Sequence, residues 1–114
     1  MSSSVTRVSK NVYNITLTRG DYFAATVGMT KDDSEYTPVQ GSLRIAVKKR
    51  YKDPDSEVLI NKQIPLDTLL LEIESEDTKH LNYGDYDYDI EYTDVQGHPD
   101  TFIEGKLTLT KEVL

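Results

Sequence analysis

The stretch GDYDYDIEY, residues 84–92, sets a carboxylate at every second position: Asp85, Asp87, Asp89 and Glu91. Carboxylates can ligate a hard cation, and two in unlike environments can divide acid and base roles. The calcium pattern starts well and then breaks. D-x-D-x-D from Asp85 opens like an EF-hand loop, but the sixth position, which requires glycine, is Ile90, and the twelfth, which requires glutamate, is Gln96. Glycosidic bond cleavage needs two carboxylates that converge on one bond, and a uniform row does not converge. In an extended chain, alternate residues line one face about 6.6–6.8 Å apart. The row is therefore expected as the solvent-facing or partner-facing side of a strand whose other side carries Tyr86, Tyr88, Ile90 and Tyr92. Like charges in a row repel, so Lys106, Arg44, Lys48 and Lys49 are expected to compensate across strands at about 0.2–1 kcal/mol per pair.

Other chemistry-bearing residues lead to plain readings. The absence of cysteine excludes disulfides, thiolate nucleophiles and cysteine-based zinc sites. The two histidines, His80 and His98, are far apart, share no metal-ligand spacing, and fall in expected loops. No serine sits in a nucleophile elbow and no glycine-rich phosphate loop is present. Arg19-Gly20-Asp21 reads as a turn between strands, with Gly20 supplying the permissive backbone, rather than as an adhesion tripeptide. No catalytic residue, cofactor or metal is assigned. The aromatic set is tyrosine-rich, with eight tyrosines, two phenylalanines and no tryptophan. Tyr86 and Tyr88 are expected in the core. Tyr36 and Tyr51 join the acidic row as candidate partner-facing residues, since tyrosine is enriched at interfaces.

The totals bound the rest. A chain of 114 residues suggests one domain with a single apolar core. Its net charge of −7 disfavours nucleic acid as a partner and suits a basic protein surface. No apolar run approaches the ~20 residues that span a bilayer, so no membrane partner is expected. Residues 1–10 carry no apolar signal-peptide segment, and folding in a cytoplasm is expected. They are small and polar, and read as a flexible arm, either frayed or docked on a neighbour, ahead of a domain at 11–114.

The elements that position these residues are strands. Period-two alternation marks 11–18, 21–29, 42–49, 57–64, 68–74, 86–93 and 101–110. Residues 31–41 read as a polar loop broken by Pro38 and Gly41, and 53–56 as a turn. Only 75–81 looks helical, for about one turn, with Ser75 as candidate cap. About seven short strands with one helical turn point to an all-β, antiparallel, immunoglobulin-like β-sandwich. Tyr86 is then the candidate corner tyrosine. A small barrel is the alternative.

The segments ITLTRGDYFAATV, LRIAVKKRYKDPDSEVLINKQI and LEIESEDTKHLNYGDYDYDIEYTDVQG…FIEGKLTLTKEV follow one another in an order that resembles small β-sandwich virion proteins of tailed phages and prophages. They are similar to the N-terminal domain of siphophage baseplate upper proteins and to short stand-alone phage structural proteins. The matching pieces are Thr18 to Asp21, Val47 to Lys49, Ser75 to Thr78, Gly84 to Ile90 and Gly105 to Val113. His80-Leu81-Asn82-Tyr83-Gly84 departs from that pattern, where a proline-containing turn is usual. The resemblance implies a non-enzymatic virion component in a symmetric oligomer, with other virion structural proteins as partners. The rival expectation is a surface adhesion module that binds host cell-wall glycans through residues 31–41 or 94–100.

Overall fold

Alternation of apolar and polar residues decides the architecture, because it gives each strand one face to bury. The computed structural model describes residues 3–31 and 34–112. In chain order its elements are β1 (Ser4–Ser9), β2 (Val12–Thr18), β3 (Phe23–Thr26), β4 (Thr30–Lys31), β5 (Ser34–Glu35), β6 (Ser42–Lys48), a 3-10 turn (Asp55–Glu57), β7 (Ile60–Ile64), β8 (Leu70–Ile73), α1 (Ser75–Thr78), β9 (Gly84–Thr93) and β10 (Pro99–Thr110). The chain is all-β, and each of the seven expected segments overlaps a strand, with β9 and β10 each starting two residues earlier than expected. Residues 1 and 2 of the expected arm, 32 and 33 of the expected loop, and 113 and 114 at the end of the expected domain lie outside the described residues.

The large sheet has six strands in the order β1-β2-β10-β9-β6-β7. A small sheet pairs β3 with β8, and β4 with β5 forms a separate short hairpin. Phe23, Val27, Leu71 and Ile73 of the small-sheet side pack against Leu17, Ile45, Val47, Tyr86, Leu107 and Leu109 of the large one in a single buried cluster. The two layers are thus β-sandwich-like.

Four expectations change. The sheet is mixed rather than antiparallel, because β2 runs parallel to β10. The strands exceed seven, with β1, β4 and β5 added. The expected arm is largely an edge strand: Ser4–Ser9 pairs antiparallel with β2, shifting register between Arg7 and Ser9. Asn11 at φ 67° closes that hairpin, in the left-handed region that asparagine tolerates. Every β1 residue is exposed, so the segment carries no burial signal to read. Finally, α1 is capped at Glu74, not Ser75. Asp77 Oδ2 accepts from Glu74 N at 2.7 Å and from Lys62 Nζ at 2.7 Å, so one carboxylate both caps the turn and ties it to β7.

The β2–β10 joint has an unusual centre. Its parallel ladder pairs Glu104 with Val12 and resumes at Leu107 with Ile15. Between them, a Cβ added at Gly105 would lie 1.9 Å from the Tyr13 carbonyl oxygen. Only glycine admits that approach. The interrupted ladder is patched by side chains. Asn14 Oδ1 accepts from Lys106 N at 3.0 Å, and Tyr13 O accepts from the Tyr88 hydroxyl at 2.7 Å. Burial pushes the Tyr88 phenol up to about 12, with Tyr13 adding to the shift.

Gly105→Ala should cost about 3 kcal/mol, since the blocking atom is backbone and cannot rotate away. Differential scanning calorimetry should show a Tm roughly 10 °C lower. Tyr88→Phe should cost about 1–2 kcal/mol by leaving Tyr13 O without that donor. The Tyr88 folded pKa lies above the unfolded value of about 10, so its contribution is complete below pH ~10 and lost as pH rises towards ~12. The stability gap between wild type and Tyr88→Phe, read by denaturant titration, should narrow over that window.

Candidate outer-face interaction site

With Tyr86, Tyr88 and Ile90 of β9 buried, the alternating acids fall on the outer face of the large sheet. β9 lies between β10 and β6, so each acid has neighbours on both sides. Asp85 Oδ1 accepts from the Thr108 hydroxyl at 2.7 Å. Asp87 Oδ1 accepts from Lys106 Nζ at 3.1 Å, and its Oδ2 accepts from Tyr51 N at 2.7 Å. Burial would raise the Asp87 carboxyl, but the hydrogen bonds from Lys106 and Tyr51 hold it below its ordinary value. Asp89 faces Glu104 on β10 and Ala46 on β6. Glu91 faces Arg44 and Thr101.

Of the four expected compensating cations, Lys106 pairs with Asp87 directly. Lys48 turns to Asp55 at 2.8 Å and also donates to Asp53 O at 2.9 Å. Lys49 Nζ donates to Asp85 O, a backbone group, at 2.9 Å. Arg44 stands opposite Glu91 in register. Asp89 is left in the least compensated place. Burial first, then Glu91, push its carboxyl above the ordinary range; Glu104 and Asp55 act the same way and Lys48 opposes them.

The loop after β6 folds back over this face. Lys48 holds its far side, and Arg50 N donates to Asp53 Oδ2 at 3.1 Å. Its Tyr51 is fixed through its own N–H on Asp87 while the residue stays 72% exposed. The structure therefore brings Tyr51 together with Asp87 and Asp89, while Asp85 lies two residues away along β9, bonded to Thr108. Tyr36 is elsewhere: it is half-buried against the core, where its hydroxyl adjoins Tyr92. Val8 and Val12 join Tyr51, Asp87, Glu104 and Lys106 around a shallow hollow on the outer face. Sequence reading missed Val8 because a strand at residues 4–9 was not expected, and missed Val12 because nothing in an expected strand at 11–18 placed it beside Tyr51. Val8, an apolar residue between Arg7 and Ser9, was the available signal.

The remaining motif residues hold the structure together. Arg19 donates to Leu81 O at 3.1 Å, to the Tyr83 hydroxyl at 2.9 Å and to Glu112 Oε1 at 2.8 Å, with its guanidinium 4.1 Å from the Tyr83 ring centroid. Hydrogen bonds from Tyr83 and then Arg19 hold the Glu112 carboxyl below its ordinary value. Gly20, at φ 85°, donates its N–H to the buried Thr78 hydroxyl at 2.8 Å. The tripeptide is a clamp on a turn. His98 sits in the β9–β10 hairpin loop, where Asp94 Oδ1 accepts from Gln96 N and His98 N, each at 2.9 Å. His80 is exposed just past α1. Among the described residues no group of three or more histidine, aspartate or glutamate side chains is gathered to hold a metal ion, and no helix is long and apolar enough to cross a membrane.

No protein-family model matches the chain, and no curated protein is significantly similar to it.

Asp89→Asn should stabilise the protein near pH 7 by up to about 1 kcal/mol, the scale of one cross-strand like-charge contact. The folded pKa lies above the unfolded one. The unfavourable contribution is therefore absent below the unfolded value and complete above the folded value. Thermal melts of wild type and Asp89→Asn should separate at pH 7 and coincide near pH ~3.

Proposed function

We propose that the protein is a non-enzymatic structural module of a tailed-phage virion, an accessory of head, neck, tail or baseplate, that docks on neighbouring virion subunits through the outer face of its large sheet. Tyr51 carries this reading. An exposed tyrosine held in place by its own backbone, beside a hydrogen-bonded acid row, is a preorganised contact residue that loses little entropy on association. The acids around it favour a basic partner surface. Their carboxylates point along a sheet face towards separate neighbours, which supports binding over catalysis.

The finer assignment, an immunoglobulin-like sandwich, has support of its own. β1, β2, β10, β9, β6 and β7 form one layer and β3 with β8 the other, with α1 joining β8 to β9. The Tyr86 hydroxyl donates to Asn82 O at 2.6 Å, the back-reaching bond of a corner tyrosine. The segments that resemble the phage proteins fall on the turn after β2, the end of β6, α1, β9 and β10, and Val113 of the last lies outside the described residues.

Light scattering on the purified protein should give a defined oligomer, unchanged by calcium up to about 5 mM, a level that fills weak extracellular-type sites. Tyr51→Ala with Asp87→Ala should weaken that oligomer at least about tenfold, roughly 1.4 kcal/mol, while the fold is kept. Calcium-driven assembly would overturn the reading. So would a monomer that retains cell-wall polysaccharide, which would identify adhesion instead.

A further inference from the structure

On the opposite side of the large sheet the sandwich is open along one edge. Among the described residues the small sheet has two strands against six, so it leaves part of the large sheet's inner face without a covering strand. The opening is a groove of roughly 430 Å³ between the β1–β2 edge and β3. Its floor is apolar. Half-buried Tyr13, Ala25 and Ile103 line it, above the buried Ile15, Phe23 and Ile90.

One wall is a strand with an unused side. Among the described residues β3 pairs with β8 alone. Val27 N donates to Leu69 O at 2.8 Å, in register with the Phe23↔Ile73 ladder. Hydrogen-bonded pairs alternate along an antiparallel ladder. Val27, Ala25 and Phe23 therefore turn their backbone groups to β8, and Ala24 and Thr26 turn theirs to the open edge. That edge offers the N–H and C=O groups that a further strand would take.

The rim selects by charge. Acids outnumber bases 20 to 13 in this chain, yet among the described residues the only charged ones lining the groove are Arg7 and Lys10. Both are exposed, and neither forms an ion pair with another described residue. A second copy is a poor occupant, because β1, exposed along its whole length, would bring its own Arg7, with Lys10 just beyond it, to a rim of like sign.

We infer that this groove is a strand-acceptor site for an extended segment of another protein, apolar at alternate positions and flanked by acidic residues. The segment adds to β3 through Ala24 and Thr26, seats alternate side chains on the floor between the sheets, and sets its acids against Arg7 and Lys10. The site lies on the other side of the large sheet from Tyr51 and the acid row, and stands independently of their role.

The probe is a fluorescent peptide of about nine residues, alternating valine and threonine with aspartate at both ends, read by anisotropy on the full chain. Saturable binding in the roughly micromolar range is expected, with lysine-ended peptide at least about tenfold weaker. N-methylation of alternate peptide amides should abolish binding, since it removes the inter-strand hydrogen bonds. Thr26→Pro should do the same from the protein side while the melting temperature holds, because an open strand edge tolerates proline. If that variant fails to fold, the N-methylated peptide tests the same bonds. Arg7→Glu with Lys10→Glu should reverse the preference between aspartate and lysine ends. No binding near ~1 mM, binding indifferent to N-methylation, or equal affinity for both ends would overturn the proposal. A protein dimer that Thr26→Pro converts to monomer would overturn it too, by making a second copy the occupant.

Discussion

The contact of the Tyr13 carbonyl with Gly105 is the constraint on which the two-layer arrangement rests. It sets β2 beside β10, and so fixes where the N-terminal hairpin joins the large sheet. A carbonyl pressed into a strand cannot use the ordinary ladder, and an unpaired carbonyl removed from water is costly. Tyr88 solves this from the inner face of β9 by sending its hydroxyl to Tyr13 O. The same residue packs its ring in the core. Because Tyr88 points inward, the period of two sends Asp87 and Asp89 outward. The acidic face is thus a by-product of the register that closes the joint.

Charged side chains outside that joint act as ties between layers. Lys62 stems from the inner side of edge strand β7 and reaches Asp77 of α1, carrying its charge to the end of the small sheet. Arg19 spans from the β2–β3 turn to Leu81, Tyr83 and Glu112, collecting the entry to β9 and the segment after β10 at one guanidinium. Its planar fork suits this task, since a lysine could not present several fixed donors. Such partly exposed bonds add modestly to stability but define how the turns sit. The outer face uses the same economy: Asp87 serves Lys106 and the backbone of Tyr51 at once.

What the sequence made legible follows burial. Ser42–Lys48 and Leu70–Ile73 alternate cleanly because each sits against the core, and their inward residues are Leu43, Ile45, Val47, Leu71 and Ile73. Ser4–Ser9 was illegible as a strand because it buries nothing; only backbone pairing with β2 makes it one. The parallel β2–β10 pairing was hidden for a related reason, as strand direction is set by tertiary packing and leaves no mark on alternation. At the site, the outward acids could be read from their period. Tyr51 could not be joined to them, since it reaches Asp87 through a loop 36 residues away in sequence. Tyr36 and Tyr51 looked alike as loop tyrosines, and burial alone separates them.

Among the described residues β10 is the last strand in sequence, and it lies in the interior of the large sheet, between β2 and β9. Its bonds to β2 join residues 92 positions apart, as in Lys106 N to Asn14 Oδ1. During synthesis the β1–β2 hairpin can form early, but it has no place in the sheet until residues 99–110 have left the ribosome. Completion of the large sheet therefore waits on β10. Contacts of such long sequence separation close slowly, because the loop entropy is spent before the pairing returns it. Until β10 is in place the nascent chain carries exposed strand edges, and its acidic composition helps to keep such chains apart.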